Sequence, residues 1–328
     1  MINFLRVIRY KNLIFIAFIQ LVIQKAVLLP ILQTFGFENS LDNNLLFLLI
    51  IGSIFIAAGG YVLNDYFDIK IDAINHPDKQ LVGSVISRQN AMIIHQILTG
   101  IGVLCGLLLA FFVRSFTVGF IFIVISGLLW FYSASYKRQF ITGNIVVAFM
   151  AAMSILVIGI TQIADLQVEY GKLIYETPIP NQIYSWMGGF AVFAFLCTWI
   201  REIIKDIEDE KGDREMECHT MPIRWGVGRT KLFLYGLIFV TVLSLFLANS
   251  FFIHFEGTLT VRYIIFGLTL PFAALVYLIF DAKNKADFHQ ASTLSKVIML
   301  IGVLYGFVFY YLEAKAYGIS LFNLFILK

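Results

Sequence analysis

Two short runs hold most of the side chains capable of chemistry. The first, NDYFDIKID, contains Asn64, Asp65, Asp68 and Asp72. The second, REIIKDIEDEKGD, contains Glu202, Asp206, Asp209 and Asp213. On a continuous helix the first four would share an arc of about 100° and the second four an arc of about 60°. Acids packed on so narrow a face repel each other by a few tenths of a kcal/mol per pair. A hard divalent cation removes that repulsion. Mg²⁺ takes oxygen ligands in an octahedron, keeps several waters, and is held by a few carboxylates together with substrate phosphates. Two such faces opposing each other would hold Mg²⁺ with a diphosphate bridging between them, the metal neutralising charge on a departing diphosphate. Neither face carries histidine or cysteine, which argues against zinc and iron. The ordinary alternative is a pair of solvated helix ends, partly neutralised by Lys70, Lys205 and Lys211. Because each cluster ends an apolar run, and ionisable groups at membrane depth default to function, the metal reading is favoured.

The elements that position these residues follow from composition. Of 328 residues, 59% are hydrophobic and 14% charged, with a mean hydropathy of +0.84. That excludes an ordinary soluble enzyme, a disordered chain and a nucleic-acid binder. The formal charge of +3 indicates no partner by itself. Nine apolar runs are long enough to cross a bilayer: 12–33, 45–63, 91–113, 116–135, 143–164, 184–204, 231–253, 262–281 and 295–313. None alternates like a barrel strand. The expected fold is all-α, a single polytopic membrane helix bundle of about nine transmembrane helices spanning 1–328. Arg6, Arg9 and Lys11 precede the first run, but no small-residue cleavage site follows, so the run reads as a helix and not a cleaved signal. Eighteen Lys and Arg fall on the N-terminal side of the bundle against five on the other. The positive-inside rule then puts the N-terminus in the cytoplasm and the C-terminus outside, in the cell membrane. Both clusters open long polar stretches on that side, 64–90 and 205–230, which hints at a distant internal repeat. Residues 165–183 read as a solvated external connector. Cys105, Cys197 and Cys218 have neither disulfide nor metal spacing.

The two motifs together resemble those of the UbiA superfamily of intramembrane prenyltransferases. Asn64, Asp65, Asp68 and Asp72 match its N-D-x-x-D-x-x-x-D motif, and Asp206, Asp209 and Asp213 its D-x-x-D-x-x-x-D motif. The loops DAINHPDK and MPIRWGVGRTK are also similar to those of the family, as is YSASYKR with Tyr132, Tyr136, Lys137 and Arg138. The segment from Lys79 to Ser84 departs from the common R-P-I-x-S-G by lacking the proline.

This resemblance implies transfer of an isoprenyl chain from a prenyl diphosphate donor to a lipophilic acceptor within membrane lipid, with Mg²⁺ as cofactor. It implies metal binding by Asn64, Asp65, Asp68, Asp72, Asp206, Asp209 and Asp213. Catalytic roles would fall to Asp68, Asp72, Asp206, Lys137 and Tyr132, and substrate contacts to Asn64, Lys79, Tyr136 and Arg138. The first motif is most similar to the branch that acts on geranylgeranylglyceryl phosphate. A 4-hydroxybenzoate or dihydroxynaphthoate acceptor of quinone synthesis is the alternative. Gln20, Gln24 and Lys25 either face the acceptor or pack within the bundle. A secondary transporter would also keep intramembrane carboxylates, but near the midplane and not at helix ends on one side.

Overall fold

A computed structural model describes residues 2–37, 41–75, 77, 80–253, 255–322 and 324–326. Among these, nine helices are long and apolar enough to span a membrane: Tyr10–Thr34, Asn43–Phe67, Arg88–Phe112, Phe116–Ala134, Thr142–Glu176, Ile179–Glu208, Val227–Phe251, Leu259–Asp281 and Lys285–Tyr317. They are spans 1 to 9 below. In hydrocarbon every backbone polar group needs an internal partner, so an apolar run of this length is stable there only as a helix. Several spans run beyond the expected limits, most of all span 9, which starts ten residues early. There Asn284 and Asp287 form a capping box that lets the helix begin in a polar segment. The expected connector 165–183 is corrected in the same way. It is mostly helical, through Tyr170 and a 3₁₀ turn at Gly171–Glu176, with Ile174 and Ile179 buried against the bundle.

Span 6 is the common wall of two apolar cores. Its half remote from the motif (Ile183, Met187, Phe190) packs with Ile23, Leu49 and Ile158, and its motif half (Cys197, Ile200, Ile203) with Leu234, Phe272 and Leu275. Spans 2 and 3 approach very closely at Gly102, where a Cβ would meet the Ile56 backbone nitrogen at 2.8 Å and the Gly52 carbonyl at 2.9 Å. Small residues permit such contact between membrane helices, where packing replaces the hydrophobic effect as the driving force.

Gln20 and Gln24 are fully buried in bundle contacts away from the carboxylates. Gln20 Nε2 donates to Ser53 Oγ at 3.0 Å and Gln24 Nε2 to Gln162 Oε1 at 2.7 Å. Lys25 reaches Asn43 Oδ1 at 3.4 Å. Bundle packing is therefore the reading the structure supports for the two glutamines, whereas the Lys25 contact is exposed.

The motif helices also differ from the simplest expectation. Neither cluster lies on one straight helix. Span 2 ends at Phe67 and a short helix, Ile69–Asn75, follows; span 6 ends at Glu208 and Glu210–Glu215 follows. The break falls at Asp68 (φ −92°, ψ 4°) and at Asp209 (φ −100°, ψ 7°). Helical hydrogen bonds continue through both: Asp68 N to Asn64 O at 3.0 Å, and Asp209 N to Lys205 O at 2.8 Å. Each is thus a kink of one residue, which turns the last carboxylate of its motif away from the axis of the span.

Candidate active site

The two kinked segments form opposite walls of one pocket. Asp72 and Asn75 line it from the first wall, and Glu202, Lys205, Asp206, Asp209 and Asp213 from the second. Tyr132, Lys137, Arg138 and Asn144, from the region joining spans 4 and 5, close the side between them.

In the first wall, Asp68 is 2% exposed, accepts from Asn64 Nδ2 at 2.7 Å and pairs with Lys137. Burial acts to lower the Lys137 pKa, yet the adjacent Asp68 carboxylate more than reverses this, so the ammonium is held in its charged form. Asp65 faces a different way and pairs with Arg9 at 2.7 Å. Asn64 Oδ1 is buried and, among the described residues, has no hydrogen-bond partner. Asp72 has no ion pair among the described residues, and burial, then repulsion from Asp68, pushes its pKa up to about 6.

The second wall is held mainly by neutral donors. Asn144 Nδ2 donates to Asp206 at 2.9 Å and Thr220 Oγ1 to Asp213 at 3.4 Å. Burial pushes the Asp213 pKa up to about 6 as well, opposed by the positive charge of Lys137. Asp209 receives Lys285 Nζ at 3.3 Å. Asn75 latches the walls together. Its Nδ2 donates to the Asp209 carbonyl at 3.0 Å, and its Oδ1 accepts from Gly212 N at 3.0 Å.

The expected site residues therefore divide. Asp72, Asp206, Asp209, Asp213, Tyr132, Lys137 and Arg138 line the pocket, with Asn64 and Asp68 immediately behind Lys137. Asp65 is engaged by Arg9, and Tyr136 stacks on Phe131 at 6.1 Å, outside the lining. Lys79 lies outside the described residues. Sequence reasoning missed Arg9, Asn75, Asn144 and Lys285. Only Asn144 carried a usable signal, an amide at the start of an apolar run, where an unpaired polar group would be costly.

The carboxylate oxygens and the unpartnered Asn64 Oδ1 suit Mg²⁺, while the sulfur on the pocket lining, Cys218, is kept as a thiol because burial pushes its pKa up to about 11. Among the described residues, no three His, Cys, Asp or Glu converge tightly enough to hold an ion by themselves. Such an open arrangement agrees with an ion that completes its shell with water and substrate phosphate.

Comparison with known proteins gives a consistent result. A model of the UbiA prenyltransferase family matches residues 27–301. Digeranylgeranylglyceryl phosphate synthase of Korarchaeum cryptofilum is 29% identical over 293 residues, covering 88% of this chain and 95% of that protein. The synthase of the same name from Methanosphaera stadtmanae is 29% identical over 256 residues, covering 77% and 84%. Among solved structures, a UbiA homologue from Archaeoglobus fulgidus bound to DMAPP and Mg²⁺ aligns with a TM-score of 0.58 at 17% identity, covering 94% of this chain and 99% of that one. A structure of digeranylgeranylglyceryl phosphate synthase aligns with a TM-score of 0.61 at 24% identity, covering 94% and 97%.

Proposed function

The chain belongs to the UbiA prenyltransferase family, and from that premise we propose that it transfers a geranylgeranyl group from geranylgeranyl diphosphate to geranylgeranylglyceryl phosphate. The observation that carries the reading is the single pocket shared by both aspartate motifs, with Lys137 and Arg138 between them. The synthase names of the relatives support the choice of acceptor.

In this reading the diphosphate lies between the two walls. Asn64, Asp68 and Asp72 on one side and Asp206, Asp209 and Asp213 on the other would hold its Mg²⁺. The bound metal supplies positive charge to the leaving diphosphate. Lys137 and Arg138 donate to phosphate oxygens through charge-assisted hydrogen bonds. The allylic carbon–oxygen bond to diphosphate breaks, an ether bond forms to the acceptor hydroxyl, and the hydroxyl proton is released. Tyr132 presents an aromatic ring to the site, suited to positive charge developing on the allylic carbon. We place this end of the bundle on the cytoplasmic side of the cell membrane, in keeping with the eighteen basic residues it gathers.

The test is product formation by purified protein from labelled geranylgeranyl diphosphate with geranylgeranylglyceryl phosphate, 4-hydroxybenzoate or dihydroxynaphthoate. Prenylation of the glyceryl phosphate alone, lost with EDTA and restored by Mg²⁺, is the expected result. Prenylation of an aromatic acceptor instead would replace the substrate assignment.

A further inference from the structure

Span 9 packs antiparallel to span 6, and its successive polar residues descend the second wall of the pocket. Lys285 Nζ reaches Asp209 at 3.3 Å, and His289 Nδ1 reaches Glu208 at 2.9 Å. Eleven residues beyond Lys285, three helical turns and about 16 Å further along, Lys296 returns to the same face. It stands where the helix becomes apolar (VIMLIGV), within electrostatic reach of Arg201, Lys205, Glu202 and Arg9. Among the described residues Lys296 forms no ion pair or hydrogen bond. Lys296 is exposed at this end of the bundle, a cation open to an anion that reaches the same face.

The neighbouring groups leave room for one. Arg9 is paired with Asp65, which removes it from the balance. Arg201 and Lys205 share Glu202, at 2.7 Å and 3.3 Å. Arg201 Nε is buried with no acceptor among the described residues. Three cations thus face Glu202 and, on the pocket side of Lys205, Asp206, an excess of one positive charge. A phosphate monoester carries about −1.5 to −2 at neutral pH and offers three acceptor oxygens. Lys205 also lines the diphosphate pocket, so an anion held here lies next to the donor.

We propose that Arg201, Lys205 and Lys296 form a second phosphate subsite, which holds the phosphate monoester of the prenyl acceptor and aims its hydroxyl at the donor pocket. This rests on the glyceryl phosphate reading above. An acceptor whose only anionic group is a planar carboxylate offers these cations fewer acceptor oxygens, so the subsite selects for phosphorylated acceptors.

The experiment compares wild type, Lys296→Gln and Lys296→Arg in detergent, with geranylgeranylglyceryl phosphate and with its dephosphorylated form, geranylgeranylglycerol. Lys296→Gln is expected to raise KM for the phosphorylated acceptor by about tenfold or more, as the loss of a charge-assisted hydrogen bond predicts. KM for geranylgeranyl diphosphate and for geranylgeranylglycerol should stay unchanged, and Lys296→Arg should restore acceptor KM. Equal losses with both acceptors, or a raised donor KM, would overturn the subsite while leaving the proposed reaction intact. Unchanged acceptor KM, together with lost thermal stabilisation by added phospholipid, would assign the lysine to a bulk headgroup and equally overturn it. A wild type that prenylates no glyceryl phosphate would overturn the substrate reading itself, a failure visible before any variant is made.

Discussion

The two walls of the pocket share a spacing and a backbone shape but differ in how their charge is held. Asp65, Asp68 and Asp72 repeat the intervals of Asp206, Asp209 and Asp213, and the middle residue of each set is a one-residue kink. In the first wall, Asp65 and Asp68 each have a cation at hand, Arg9 and Lys137. In the second, Asp206 and Asp213 are hydrogen-bonded by the neutral donors Asn144 and Thr220, and Asp209 has the direct ion pair, with Lys285. The first wall thus has direct ion pairs at two of its three motif aspartates, and the second at one. The comparison teaches that equal motifs need not be equal ligands: the second wall should govern metal affinity, while the first should respond more in stability.

Four substitutions sharpen or break that contrast. The largest effect belongs to Asp206→Asn. It removes a pocket carboxylate held by the neutral donor Asn144 and should lower turnover by about 1000-fold, the scale of losing a central electrostatic contact. The thermal midpoint in detergent should barely move, and retained turnover would remove Asp206 from the metal set. Lys137→Met comes next, because it strands a carboxylate that is 2% exposed. Denaturation should show a loss of about 3 kcal/mol, as for a broken buried pair. A stability equal to wild type would show that Asp68 does not depend on its cation.

Gly212→Ala tests the latch between the walls. The new Cβ would lie 2.5 Å from Asn75 Nδ2, so Asn75 must give up its bond to Gly212 N or the short helix must shift. A cost of about 1–3 kcal/mol is expected for such overpacking. Activity should fall with it, and full activity at reduced stability would mean the walls need no latch. Lys285→Ala should matter least, with a stability change of about 1 kcal/mol or below, because its side chain is 43% exposed and the pair with Asp209 is screened.

Much of this was legible in the chain. The nine spans follow from apolar run length, and the position of both motifs at one end follows from the runs they terminate. The kinks were not legible, because Asp68 and Asp209 keep helical hydrogen bonds and ideal periodicity does not reveal a change of one ψ angle. Nor was the placement of Lys296. Hydropathy put it at the very start of the ninth run, whereas the capping box at Asn284 starts the helix ten residues earlier, so the lysine lies three turns along the helix on the face beside Arg201. The partners Arg9, Asn75 and Asn144 lie 56, 134 and 62 positions from the residues they bind, separations no local pattern can report. Of the two tyrosines of YSASYKR, only Tyr132 lines the pocket, a choice decided by the turn that follows span 4.

The most direct test of the central claim, that both walls clamp one metal-bound diphosphate, is Mg²⁺-dependent binding of a non-hydrolysable geranylgeranyl thiodiphosphate to wild type, Asp72→Asn and Asp213→Asn. The account predicts tight binding by wild type that EDTA abolishes. It predicts weakening by about tenfold or more in each variant, since each loses a ligand from a different wall. Wild-type affinity in either variant, or binding that ignores EDTA, would contradict it.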